Sequence, residues 1–149
     1  MALSAQKILN VTDLPQVAMA AMNAVHQEEL AIVNALYAAL AGTLQTGTLT
    51  QEIDQLCEQW LVHTKAHFDR ENQMMDTYDF PARHVHQAEH AEALQTLEDV
   101  IQQWRTEHDC QALAAYVKEI WPVWYVEHIA TLDVVTSAFI KQAIAKTVS

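Results

Sequence analysis

Two glycines and three prolines among 149 residues leave this chain too few breakers for the frequent turns of an all-β or loop-rich protein. Long helices remain, and abundant Ala, Leu, Gln and Glu favour them. The two cysteines, Cys57 and Cys110, are too few and too far apart for a disulfide framework or a thiolate metal site, so they read as reduced packing residues. Positive charge is also scarce. Eight Lys and Arg against nineteen Asp and Glu give a formal charge of -11, which repels phosphate backbones and anionic lipid surfaces. Neither nucleic acid nor a membrane is an expected partner. No run reaches the roughly 18 apolar residues of a membrane span, and Met1 to Thr12 lacks the apolar stretch of a secretory signal. The expected location is the cytoplasm. Apolar residues still make up 51% of the chain, enough at this length to bury a core without disulfide support. One domain covering residues 1–149, with a core over about 14–146, is expected. The sequence carries no signal for a particular oligomeric state.

The punctuation divides the chain into four long helical segments. Asp13-Leu-Pro15 is a helix start, with Asp13 as cap and Pro15 in the first turn, where its missing N–H costs nothing. From there Met22, Val25, Val33, Leu36, Tyr37 and Leu40 recur at the amphipathic period, and Gly42 is the expected stop. Thr48 with Gln51 reads as a capping box for a second helix running to about Met75. Asp79-Phe-Pro81 breaks the pattern, because the residue before a proline is pushed out of the helical region. A third helix is predicted to about Arg105, and a fourth, capped by Asp109, towards Lys146. Pro122 predicts a kink or break in that last helix near Trp121. Long helices with short connections imply antiparallel neighbours. The expected fold is all-α, an antiparallel up-down-up-down four-helix bundle with a short N-terminal arm and inward-facing side chains available for a cofactor.

Against this background the distribution of histidine and carboxylate is informative. His26 lies on the first predicted helix, His67 and Glu71 on the second, His86 and His90 on the third, and His128 and Asp133 on the fourth. Residues four apart on a helix sit about 40° from each other, so His67 with Glu71, and His86 with His90, can each grip one centre. A single buried histidine is more often a hydrogen-bonded core residue than a ligand. Five imidazoles and two carboxylates inside an apolar bundle, however, would be costly to bury unless they paired or bound metal. Imidazole and carboxylate without thiolate suit iron, manganese or zinc. His128 and Asp133 are five apart, about 140° around an ideal helix, and share a centre only if they flank its inward face or the helix distorts.

At these residues the chain resembles the hemerythrin family, most of all its single-domain bacterial members. The resemblance rests on His26 followed by Glu28-Glu29-Leu30, His67-Phe68-x-x-Glu71 with Met75, His86-x-x-x-His90, and Trp124-x-x-x-His128-Ile129-x-x-x-Asp133. It implies that His86, His90 and His128 hold one iron, that His26 and His67 hold a second, and that Glu71 and Asp133 bridge them. Two octahedral ions present twelve coordination positions; five histidines, two bridging carboxylates and one bridging oxide or hydroxide fill eleven. The position left open on the two-histidine iron is where dioxygen, or another small diatomic ligand, binds reversibly in that family. The implied function is a non-haem di-iron oxygen carrier, store or sensor rather than an enzyme. The alternative is a di-iron redox enzyme, an oxidase, peroxidase or nitric oxide reductase. Carboxylate-rich bundle oxidases use paired Glu-x-x-His motifs, and this chain has none. It departs from the family pattern at Asn72, where a second Glu commonly follows the bridging one, and in having no tryptophan before Trp60.

Several neighbours of the set have expected roles of their own. Glu29, one turn beyond His26 on the same face, is either an extra ligand or, as the favoured reading, a hydrogen-bond partner that orients His26 from outside the centre. His63 reads as a partly exposed polar residue, and His84 and His108 as solvated groups near helix ends. Trp124 is expected to cover the cluster and exclude water, while Trp60, Trp121, Phe68, Met74 and Met75 read as core.

Overall fold

The computed structural model describes residues 7–148, so part of the expected N-terminal arm lies outside the described residues. Helices α1 (Ala20–Thr46), α2 (Gln51–Thr77) and α3 (Arg83–Glu107) are followed by a helical rod made of α4 (Cys110–Ala115), α5 (Trp121–His128) and α6 (Val134–Val148). The four rods pack antiparallel, as expected from their length and short connections, and no strand occurs among the described residues. No described helix is long and apolar enough to cross a membrane.

The helix ends differ from expectation where a tertiary contact outweighs a local signal. Pro15 does not open α1; only a short 3-10 turn, Val11–Asp13, forms there, and the chain then runs extended to Met19. Two asparagines on α1 hold this arm. Asn34 Oδ1 accepts from the Ile8 N–H at 2.8 Å and Asn34 Nδ2 donates to the Leu9 carbonyl at 3.0 Å; Asn23 makes the same pair with Val17 at 2.9 and 3.0 Å. The arm thereby buries Leu14 and Val17 against the bundle. Gly42 does not end α1 either. The helix continues because Thr43 beyond it is buried, and the stop falls at Gly47, whose left-handed φ of 75° a side chain would strain. The expected Thr48/Gln51 capping box is absent, since Thr50 occupies the cap position and makes no side-chain capping bond.

Other breaks fall where the sequence puts them. Asp79, at φ 51°, turns the chain before buried Phe80 and exposed Pro81, and Asp109 Oδ1 caps α4 by accepting from the Ala112 N–H at 3.1 Å. Ahead of Pro122 the rod opens into a π-helical turn, Tyr116–Ile120. A proline cannot donate and crowds the carbonyl one turn back, and the wider turn relieves that crowding. A second π turn, Ile129–Asp133, separates α5 from α6.

The larger apolar cluster, including Leu36, Leu40, Ile53, Trp60, Ile101 and Trp121, fills the end of the bundle near Gly47 and His108. A smaller one, Met75, Phe80 and Ile140, closes the end near Asp79. Between them lies a layer of buried histidine and carboxylate.

Candidate metal centre

The second π turn resolves the spacing of His128 and Asp133. Its hydrogen bonds close five residues back rather than four, as in the Val134 N–H to Ile129 carbonyl bond, so residues five apart are stacked on one face. His128 Nε2 consequently lies 3.3 Å from Asp133 Oδ1.

All seven residues expected from the sequence meet in this layer, each at most 2% exposed. The two oxygens of each carboxylate divide between two groups of histidines. Glu71 Oε2 lies 2.7 Å from His67 Nε2 and 4.0 Å from His26 Nε2, while Oε1 lies 3.2 Å from His90 Nε2 and 3.6 Å from His86 Nε2. Asp133 Oδ2 lies 3.0 Å from His26 Nε2, and Oδ1 lies 3.1 Å from His86 Nε2. His86 and His128 point their Nε2 atoms at each other across 3.3 Å. Two sets of cation-holding geometry result, one of Glu71, His86, His90, His128 and Asp133, the other of His26, His67 and Glu71.

Residues 17–133 match the family described as the hemerythrin HHE cation binding domain. The chain is also 30% identical over 116 residues to a bacteriohemerythrin of Aquifex aeolicus (strain VF5), covering 78% of this chain and 85% of that protein. A bacteriohemerythrin of Ralstonia nicotianae (strain ATCC BAA-1114 / GMI1000) is 27% identical over 114 residues, covering 75% and 82%. No solved structure matches the chain at a significant level. The chain belongs to the hemerythrin family.

A hemerythrin-type cation pair fits the residues present. His26 Nε2, His90 Nε2, Glu71 Oε1 and both Asp133 carboxylate oxygens are buried without a hydrogen-bond partner among the described residues, which is costly unless a cation faces them. On the three-histidine side the opposite ring nitrogens are held, whereas His26 Nδ1 has no partner among the described residues. His86 Nδ1 meets Thr136 Oγ1, His90 Nδ1 donates to Asn72 Oδ1, and His128 Nδ1 donates to Glu89 Oε1, each at 2.8 Å. Such outer partners fix the tautomer and aim Nε2 inward. Sequence reasoning missed Thr136 and Glu89, and noted Asn72 only as a departure. Their neighbours in sequence, Asp133, His90 and Glu71, were the available signal. Glu29 corrects an expectation. It is buried but does not orient His26; its Oε1 lies 3.3 Å from His67 Nδ1 and 3.4 Å from Thr64 Oγ1, because the packing of α1 on α2 carries it across to the second helix. His26 is held instead through its backbone carbonyl, which accepts from the buried Tyr125 hydroxyl at 3.1 Å.

Aromatic rings wall the hemerythrin-type cluster. Trp124 stacks on His128 at 4.7 Å, as expected of a cover, and Phe68, expected only as core, stacks on His90 at 4.0 Å and 8°. His63 is half-buried, and His84 and His108 are exposed.

Charge in the cluster is mutually stabilised. Burial by itself would strip the proton from His67, yet the neighbouring Glu71 and Glu29 carboxylates push its pKa up to about 10. Burial would raise Asp133, but His128, His26 and His86 hold it well below the usual carboxylate range. Glu71 is likewise lowered against burial, chiefly by His67, and His90 is lowered by burial itself. The carboxylates therefore stand ionised for a cation.

Proposed function

We propose that His86, His90 and His128 hold one iron, His26 and His67 a second, with Glu71, Asp133 and an oxide or hydroxide bridging them, and that this centre binds dioxygen reversibly as a carrier, store or sensor. The observation that carries the reading is the unequal division of five histidines around two carboxylates whose oxygens each face both halves. That asymmetry leaves the two-histidine half one donor short. When bound, an iron pair supplies reversible electron exchange with a small diatomic ligand.

The protein's own groups do the rest. A crevice of about 410 Å³, lined by Met19, Met22, Val25, Met74 and Arg70 among others, reaches His67 and Glu71 and gives a small diatomic a route to the two-histidine half. Phe68 stacks on His90 and Trp124 on His128, covering one side of the three-histidine half. Glu29 and Glu89, outside the ligand set, add two negative charges to those of Glu71 and Asp133, four in all towards the charge of a cation pair.

Elemental analysis and oxygen tonometry test the proposal together. Iron-replete protein should contain two irons per chain, show near-ultraviolet charge-transfer bands that azide alters, and return its oxygen unchanged as the pressure is lowered. A stoichiometry of one, or zinc alone, contradicts the centre. Net consumption of oxygen replaces the carrier with a redox enzyme.

A further inference from the structure

The outer partners of the histidines are not equivalent. Those of His86, His90 and His128 are single groups, each at 2.8 Å. The partner of His67 is longer and shared, because Thr64 Oγ1 at 3.4 Å, His67 Nδ1 at 3.3 Å and His63 Nδ1 at 3.5 Å all converge on Glu29 Oε1. His63 then reaches outward, its Nε2 lying 3.3 Å from the exposed carboxylate of Glu28. Carboxylate and imidazole alternate from solvent to the centre in the order Glu28, His63, Glu29, His67. Glu28 and Glu29 come from α1, whereas His63, Thr64 and His67 come from successive turns of α2.

We propose that His63 is a positioning residue for the two-histidine half of the centre: by holding Glu29 it fixes the ring and tautomer of His67. This rests on the metal centre proposed above. A buried carboxylate with four lone-pair sites and only the Thr64 hydroxyl and one imidazole N–H to meet them is poorly fixed. His63 supplies the third contact, a charge contact at 3.5 Å without hydrogen-bond geometry, from the same helix that carries Thr64 and His67. Without it Glu29 is free to swing away from His67, and that imidazole loses both its orientation and the basicity that a carboxylate partner confers.

The test compares His63→Phe, which keeps the ring and removes both nitrogens, with His63→Gln, which keeps an amide donor. Cobalt(II) is titrated into each purified full-length protein in competition with a chromogenic chelator, resolving the two binding steps, and apo-protein melting is recorded in parallel. His63→Phe should weaken one step about tenfold, the low end for loss of an outer partner because His63 acts through Glu29, and leave the other step unchanged. His63→Gln should restore most of the lost affinity. Apo melting should not follow the same order, which separates positioning from a merely structural role. Equal weakening of both steps, unchanged affinity in His63→Phe, or affinity loss that tracks apo stability would each overturn the proposal. A wild-type protein that binds no cation pair would overturn the centre itself, a result distinct from a wild type that binds two ions and a His63→Phe variant that matches it.

Discussion

Asp133→Asn is the sharpest single perturbation of this protein. The substitution is nearly isosteric, so it removes charge and bridging capacity without opening a cavity. Asp133 is 0% exposed, with His26, His86 and His128 nitrogens at 3.0, 3.1 and 3.3 Å. Removing one partner of a buried ion pair costs about 3–5 kcal/mol. The low end applies in metal-free protein, because His128, whose pKa is raised against burial with the help of Asp133, can shed its proton to follow the lost charge. At roughly 2–4 °C per kcal/mol for a chain of this size, a loss of about 3 kcal/mol lowers the melting temperature by about 6–12 °C. The folded-state pKa of Asp133 is depressed, so its contribution is fully present above the unfolded value of about 3.9 and disappears only as pH falls through the lower folded value. The difference should therefore be complete at neutral pH and close only in strong acid. Far-ultraviolet circular dichroism of chelator-treated proteins measures it. On metal loading, a neutral amide cannot bridge two cations as an anion, and elemental analysis should find no more than one tightly held ion. Melting within a degree or two of wild type, together with two ions held as tightly, would refute both the buried-pair energetics and the bridging role.

Two further outcomes follow from the backbone and from burial. A π turn is a one-residue insertion in an α-helix, so deleting exposed Ala130 should return Ile129–Asp133 to α geometry, leave His128 and the aspartate four apart on one face, and preserve cation binding; loss of binding in the deletion would show that the wide turn itself is required. Cys57, 1% exposed and with its thiol pushed up to about 12 by burial and by Asp54, should react with a thiol reagent in native protein far more slowly than half-buried Cys110, and equal rates would contradict the packed core around it.

Features fixed within one or two helical turns were legible in the sequence. The pairing of His67 with Glu71 and of His86 with His90 follows from the helical repeat, and the breaks at Asp79-Phe80-Pro81 and at Asp109 follow from local backbone chemistry. The bundle follows from helix length, short connections and the scarcity of glycine and proline. What depends on how helices lie against one another was not legible. The start of α1 moved to Ala20 because Asn23 and Asn34 hold the arm, and its stop moved from Gly42 to Gly47 because tertiary burial outweighs one glycine. The spacing of His128 and Asp133 left their shared face open until the π turn supplied it. Glu29 was placed on the right face of α1, but its partner was set by α2. Thr136, Asn72 and Glu89 acquire their roles only by lying across a helix interface from a histidine. Helical periodicity determines which side chains face inward, whereas which inward side chains touch is determined by the rotation and register of neighbouring helices, set by packing across the whole bundle.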